Sequence, residues 1–389
     1  MIFPACPLNE VVLKSVFLLL AGLLFYTWVA YPILLYVWAF FFRRKRKMDE
    51  SARPSVTLII PAHNEEACIE KKIRNALELD YPTDKLEIIV ASDHSSDQTA
   101  ARASVFGNRG VRVLDYRERA GKMGTLNKAV KEAKGEILVL TDANALFPSY
   151  TIKELVKHFA DERVGLVSGA KIIRNLESDS STGLGESGYW KYESFIKQGE
   201  SLSGSCSGAD GSVYAVRKAL YPFPPDKRII MDDFAVSLMV VKAGYECIYE
   251  PQARAFEESS SGMCREFRRK GRIFAGALSF LFLQPAALFS NLFVKLISHK
   301  ILRWLTFLFQ ILLFGVSFLL SSHSMIRPIF GFQAVFYASA LAGALLNHFS
   351  IRLLPFHIPY YFNMTTFAQG YGFWYYFKNG RRPQWEKLR

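Results

Sequence analysis

The stretch "ILVLTDANALF", residues 137–147, decides how this chain is read. Ile137 to Leu140 is a short run of branched apolar residues, the pattern of a strand buried on both faces. It runs straight into Asp142, with Asn144 two residues on. Asp and Asn commonly make the turn that follows a strand, so the stretch by itself leaves two readings open, a turn or a site.

Its neighbours repeat the pattern. "SVTLIIPA" (55–62), "LEIIVASD" (86–93) and "VRVLDY" (111–116) read as strands. Between them, "EEACIEKKIRNALEL" (65–79), "QTAARASVF" (98–106) and "KMGTLNKAVKEAK" (122–134) carry helical spacing. Strands alternating with helices predict parallel βαβ units and an α/β fold. In such sheets ligands gather at the carboxyl ends of the strands. Three of the predicted ends are polar: His63-Asn64-Glu65, Asp93, and Asp142 with Asn144. One such end is a turn; three on one edge point to a site. No GxGxxG follows the first strand and no GxxxxGK[ST] occurs, which excludes ordinary dinucleotide and P-loop phosphate binding.

The flanks are different in character. Half of the 389 residues are hydrophobic and 14% aromatic. Val16–Phe42 is 27 residues without a charge, against the roughly 20 a helix needs to cross a bilayer. "RRKRK" (43–47) follows at once and reads as a positive-inside anchor, placing that end of the span in the cytoplasm. A cleavable signal is not expected, because the apolar run is too long and no small-residue cleavage site follows. Trp304–Leu320 and Ile329–Leu346 read as spans joined at "SSHSMIRP". Leu353–Phe377 is long enough but carries Pro355, His357, Pro359, Asn363 and Gln369. Such a segment faces a bundle interior or cavity, or lies at the interface. Phe274–Asn291 reads as an interfacial helix, and the tail "KNGRRPQWEKLR" favours a cytoplasmic C-terminus, so Leu353–Phe377 is expected to be re-entrant or interfacial, or else Phe274–Asn291 to span as well. The domains expected are therefore an anchor (1–52), a cytoplasmic α/β domain (53–273), an interfacial region (274–300) and a C-terminal membrane region (301–389). The net charge of +13 suits a cytoplasmic face meeting anionic lipid and anionic substrates. No nucleic-acid module appears, and nucleic acid is not an expected partner. Cysteines at 6, 68, 206, 247 and 264 show neither CxxC spacing nor histidine clustering, so reduced thiols are expected rather than disulfides or zinc.

Taken in order, "IIPAHNEE", "ASDHSSDQT", "AGKMGTLNKAV", "LTDANALF", "SGADGSVYAVR" and "MDDFAVSLMVVKAGYECIYEP" resemble the motif series of family 2 glycosyltransferases over residues 54–275. "RRKGRI" (268–273) resembles the QxxRW element of their membrane-embedded branch, which includes cellulose, chitin, hyaluronan and poly-N-acetylglucosamine synthases. The resemblance implies a GT-A fold and inverting transfer from a UDP sugar to a carbohydrate or lipid-linked acceptor, with Mg²⁺ or Mn²⁺. It implies that Pro61, His63, Glu65 and Asp93 cradle the uridine and that Lys122 approaches the diphosphate. Asp142 takes the first position of the DxD metal motif; the second is Asn144, a neutral ligand. Asp233 takes the base position of the TED motif, after Met231 and Asp232. Asp210 takes an acceptor-side position, as does Cys206. Arg269 and Arg272 fall in the QxxRW element, Arg272 at its phosphate-binding arginine, while Ile273 replaces its Trp and offers no flat face for a sugar.

These roles make chemical sense. A departing nucleoside diphosphate gathers negative charge that a divalent ion and basic side chains neutralise. The acceptor hydroxyl is a weak nucleophile and needs a carboxylate to take its proton. Bland readings stand beside them: Asp232 or Asp233 as a helix cap, Asp97 as a turn residue, His63 as a packing residue, and Trp190, Tyr192 and Glu193 as core or acceptor path. The function expected is membrane glycosyl transfer that builds a β-linked polysaccharide or glycolipid. The alternatives are single-sugar transfer to a polyprenyl-phosphate or diacylglycerol-type lipid, and a non-catalytic membrane scaffold.

Overall fold

A computed structural model describes residues 7–174, 181–224, 231–259, 262–287, 290–349, 351 and 353–378. Seven strands form one sheet: β1 (Val56–Ala62), β2 (Leu86–Asp93), β3 (Val111–Tyr116), β4 (Ile137–Leu140), β5 (Val164–Arg174), β6 (Tyr214–Arg217) and β7 (Glu246–Glu258). Their order is β3-β2-β1-β4-β6-β5-β7. β3, β2, β1 and β4 are mutually parallel, β6 runs against both its neighbours, and β5 and β7 are parallel. The parallel strands read from sequence are present, so the chain is α/β with a mostly parallel sheet.

The apolar runs are explained by burial on both faces. Successive side chains alternate across a strand. Ile59, Ile89, Leu138 and Leu140 accordingly join one core, with Met123, Leu126, Phe234 and Phe280 from the covering helices. Leu58, Ile60, Val90, Ile137 and Val139 join the other, with Ile69, Ile73, Ile152 and Leu155. The register Ile59↔Ile89 and Leu58↔Ile88 keeps like-facing residues together. Parallel pairing puts the carboxyl ends of β1, β2 and β4 on one edge, which is where the three polar ends converge.

Among the described residues two helices are long and apolar enough to cross a membrane, Glu10–Phe41 and Arg327–His348. A third candidate is bent: Phe293–Trp304 and Thr306–Leu319 meet at 59°. The expected span Trp304–Leu320 falls largely on the second helix of this bent pair. Its helix, Thr306–Leu319, has 14 residues, too few to cross unless the bent partner is counted, since about 20 are needed. Phe17 and Leu20 of the first helix pack against Phe309 and Leu313 of this one, and Trp28 Nε1 donates to Thr306 Oγ1 at 3.1 Å.

Phe274–Asn291 is not a separate helix either. Phe274–Leu283 is the second half of Met263–Leu283, which crosses the expected domain boundary at 273 without a break. Phe274, Ala275, Ala277 and Phe280 are buried; residues 288–289 lie outside the described set. Leu354–Lys378 forms one helix of 25 residues that packs against Met263–Leu283. The two backbones approach so closely that a Cβ on Gly372 would stand 2.3 Å from the Gly271 carbonyl oxygen. His357, Asn363, Thr365 and Thr366 are buried, and Gln310 donates to Asn363 at 3.1 Å. These polar side chains of the segment thus face neighbouring helices rather than solvent. Apart from Lys378, the basic tail lies outside the described residues.

Candidate active site

The loop after β1 and the loop after β2 are tied together. Asn64, in the left-handed region at φ 55°, accepts the Ser96 N–H at 2.8 Å through its side-chain oxygen. Thr99 Oγ1 receives the Glu65 N–H at 2.8 Å. His63 Nδ1 lies 2.8 Å from the Asp93 carbonyl oxygen, a backbone-positioning role. Pro61 is buried within β1. Asp97 accepts the Thr99 N–H at 2.9 Å and the Glu66 N–H at 3.1 Å, the contacts of a turn residue.

Asp93 is fully buried. Its two carboxylate oxygens accept the N–H groups of Ala120 at 2.6 Å and Gly121 at 2.9 Å. Gly121 opens the helix Gly121–Glu132 at φ 74°, a conformation that costs a glycine little. A carboxylate beside a helix start is favoured by the helix dipole and its unpaired N–H groups. Asp93 therefore sets the position of the next residue, Lys122.

Lys122 joins two motifs distant in sequence. Its ammonium donates to Asp142 Oδ1 and lies against Asp232 Oδ1, each at 2.8 Å. Burial works against the charge, but Asp142 and then Asp232 outweigh it and raise the ammonium's pKa. Asp232 Oδ2 also accepts the hydroxyl of Tyr214 at 2.9 Å. Both oxygens of this buried carboxylate are thus engaged.

Asp233 is placed differently. Its Oδ1 accepts the N–H of the next residue, Phe234, at 2.8 Å. Its Oδ2 faces Gly211, where an added Cβ would stand 3.1 Å away. The missing side chain at 211 leaves that oxygen open. Burial, then the neighbouring Asp232 charge, push the Asp233 carboxyl up to about 7, with Lys122 pulling the other way. An acid held near neutrality is suited to taking a proton at physiological pH.

Asp210 supports this corner. It is buried and accepts the N–H and hydroxyl of Ser212 at 3.2 and 2.8 Å. Cys206 is fully buried, its sulfur 3.4 Å from that of Cys247. Arg269 is held in a buried ion-pair cluster with Glu266, at 2.7 Å, and Glu186, which ties Met263–Leu283 to Ser181–Leu202. Arg272 is one position beyond the glycine contact and partly buried. Tyr192 donates to the Trp28 carbonyl at 2.8 Å, and Glu193 pairs with Arg303 at 2.8 Å; both pack against membrane-side helices. Trp190 differs: two lysines, Lys171 and Lys270, lie 5.0 and 5.5 Å from its ring, and its buried indole nitrogen has no hydrogen-bond partner among the described residues.

Lys72 was not singled out from sequence. It is fully buried, donating to Thr141 Oγ1 at 3.1 Å and to the Ala145 carbonyl, with its ammonium 3.9 Å from the Phe147 ring centre. It braces the turn that carries Asp142 and Asn144. The signal was present: Ile69, Ile73 and Ala76 define a buried helix face, and position 72 lies on it at helical spacing.

The residues present suit a divalent ion. Carboxylate oxygens of Asp142 and Asp232 converge on one cation, Lys122, and Asp142 keeps 34% of its side chain exposed. Among the described residues no group of three or more His, Cys, Asp or Glu side chains is arranged as a metal site. Magnesium-type sites often use one or two protein carboxylates and complete their shell with substrate phosphates. Asp142 fits that arrangement, and the Asn144 amide oxygen would be free to join it, since it is the Asn144 Nδ2 that lies 3.3 Å from Glu257.

Comparisons with known proteins bear on the fold and the family. Residues 57–221 match the family model described as glycosyl transferase family 2. A poly-beta-1,6-N-acetyl-D-glucosamine synthase of Staphylococcus aureus is 30% identical over 232 residues, covering 55% of this chain and 54% of the relative. A beta-monoglucosyldiacylglycerol synthase of Trichormus variabilis is 28% identical over 217 residues, covering 54% and 46%. The chain thus spans about half the length of the curated relatives it matches. Among solved structures, a mannosyltransferase from Pyrobaculum calidifontis, in complex with GDP-Man and Mn²⁺, superposes with a TM-score of 0.68 at 22% identity, covering 92% of this chain and 98% of that one. That likeness speaks for the fold. Residues 57–221 thus carry a match to glycosyl transferase family 2, on a fold shared with a solved GT-A-type glycosyltransferase.

Proposed function

We propose that the chain is a membrane-bound inverting glycosyltransferase that moves a sugar from a nucleotide sugar, a UDP sugar first among candidates, to a growing polysaccharide or a lipid-linked acceptor. The observation that carries this is the division between adjacent aspartates. Asp232 has both oxygens engaged by Lys122 and Tyr214, while Asp233 presents one oxygen beside Gly211.

In this reading the acceptor hydroxyl is held against Asp233 Oδ2. As its oxygen attacks the anomeric carbon, the proton passes to that carboxylate, and the bond to the diphosphate breaks on the opposite face. One displacement inverts the anomeric centre and gives a β-linkage from an α-linked donor. Lys122 and Arg272 supply positive charge to the departing diphosphate. A divalent ion held by Asp142 and Asn144, Mg²⁺ or Mn²⁺, would add further neutralisation of that group. Asp93 keeps Lys122 in place, and Lys72 keeps Asp142 in place.

Glu10–Phe41 and Arg327–His348 would carry the domain at the membrane, the "RRKRK" run fixing it on the cytoplasmic side. Ile273, in place of the sugar-stacking Trp, favours a second reading, transfer of a single sugar to a glycolipid. Purified chain given labelled UDP and GDP sugars with Mn²⁺ separates the two by product size. A ladder supports polymerisation, and one lipid-extractable species supports single transfer. No nucleotide release with any donor would overturn both and favour the scaffold.

A further inference from the structure

A cavity of about 610 Å³ lies far from the aspartates, between the end of the first membrane helix and the far edge of the sheet. Its wall includes Val241 and Gly244 at the end of the helix Asp232–Lys242. Val241 is eight residues from Asp233, about 12 Å along that helix. The cavity is therefore separate from the candidate active site.

Its two sides are chemically opposed. Leu34, Trp38 and Val294 form an apolar wall and remain 54%, 55% and 66% exposed. Arg44, Arg163 and Lys295 form a basic floor around Gly204. A Cβ on Gly204 would stand 3.6 Å from Lys295 Nζ and 3.9 Å from Arg44 Nε, so glycine leaves a gap between two cations. Glu246 is shared by Arg44 and Arg46, each at 2.6 Å, and Asp161 answers Arg163. Lys295 donates to the carbonyl oxygens of Glu200 and Ser205 at 2.7 and 2.9 Å, partners without net charge. Among the lining residues, the three cations Arg44, Arg163 and Lys295 stand against one carboxylate, Glu246, an excess of positive charge.

We propose that this cavity binds one anionic phospholipid, its phosphate over Gly204 between Arg44 and Lys295 and its acyl chains along Leu34, Trp38 and Val294. The volume lies within the range of small-molecule sites, about 300–1,000 Å³, and suits a headgroup with its glycerol. The position suits a lipid as well: Trp38 and Arg44 flank the end of the apolar helix, where aromatic and basic residues meet the headgroup layer. The proposal rests on the reading that Glu10–Phe41 crosses a membrane.

The test is lipid retention by the purified full chain, read by native mass spectrometry during titration with phosphatidylglycerol or phosphatidylcholine. The wild type retains one phosphatidylglycerol in preference to phosphatidylcholine. Arg44 and Arg163 are half-exposed, so Arg44→Gln/Arg163→Gln removes charge without opening the core. Each basic side chain near an anionic headgroup is worth roughly fivefold in affinity, so the pair should weaken retention about thirtyfold. Leu34→Trp fills the cavity without changing charge and should weaken retention as well. Arg43→Gln/Lys45→Gln/Lys47→Gln removes three exposed charges from the same run and should leave the bound lipid in place. Equal retention of both lipids, retention in Leu34→Trp, or a larger loss in the triple variant than in the double variant would overturn the proposal. Alkaline carbonate extraction separates the premise: release of the chain from membranes overturns the spanning reading, whereas an integral chain that retains no lipid overturns only the site.

Discussion

Asp233 should impose an acid limb on activity, and its neighbour should control where that limb falls. With a carboxyl at about 7, about one tenth of the sites are ionised at pH 6 and about nine tenths at pH 8. If the ionised form takes the acceptor proton, kcat/KM for the donor should rise about tenfold over that interval. The second cause of the raised value is the Asp232 charge, after burial. Asp232→Asn should therefore move the limb toward acid, while Asp233→Asn should abolish it and lower turnover by roughly 10²–10⁴-fold. The same shift has a stability consequence. The folded value lies above the ordinary 3.8, so the contribution is fully present below 3.8 and is lost as pH rises through 7. Ionised Asp233 then costs at most about 4 kcal/mol, solvent screening reducing this for a partly exposed group. Asp233→Asn should gain thermal stability over the wild type between pH 4 and 7, with a constant difference above. The assay is nucleotide release from pH 5.5 to 9 beside thermal inactivation in detergent. A flat wild-type profile, or a limb that persists unchanged in Asp233→Asn, would refute the assignment.

Lys72→Met should leave the Ala145 carbonyl unpaired and cost about 1–3 kcal/mol of stability, and donor affinity should fall as the Asp142 turn loosens; thermal inactivation and nucleotide titration measure the two. Gly211→Ala puts a methyl 3.1 Å from Asp233 Oδ2, so turnover should fall while nucleotide affinity is kept, read from steady-state kinetics beside a binding titration. Gly372→Ala forces a Cβ to 2.3 Å from the Gly271 carbonyl and should destabilise the chain by about 1–3 kcal/mol, as overpacking does; the inactivation midpoint in detergent reports it.

The parallel half of the sheet was legible because its strands are buried on both faces and separated by helices with a clear apolar stripe. Ile69 and Ile73 needed only their periodicity. β6 and β5 were harder to read, since an antiparallel pair inserted into a parallel sheet leaves no mark in a local window. The first three polar strand ends were visible as residues, but their division of labour was not. Asp93 is spent on the N–H groups of Ala120 and Gly121, and only the fold reveals that contact. Asp232 and Asp233 are adjacent and chemically identical; Tyr214, 18 positions away, is what separates them. The membrane side was legible as apolar length but not as helix boundaries. Hydropathy records apolar length but not a bend such as the one between Trp304 and Thr306.

The central claim is that Asp142 serves donor and metal binding while Asp233 serves proton transfer. It is tested most directly by measuring, on one preparation of the full chain, Mn²⁺-dependent nucleotide-sugar affinity and single-turnover transfer for Asp142→Asn and Asp233→Asn. Asp142→Asn should lose affinity and turnover together, with partial recovery at high Mn²⁺. Asp233→Asn should bind donor nearly as the wild type does and transfer roughly 10²–10⁴-fold more slowly. Full activity in Asp233→Asn, or unchanged Mn²⁺-dependent affinity in Asp142→Asn, would contradict it.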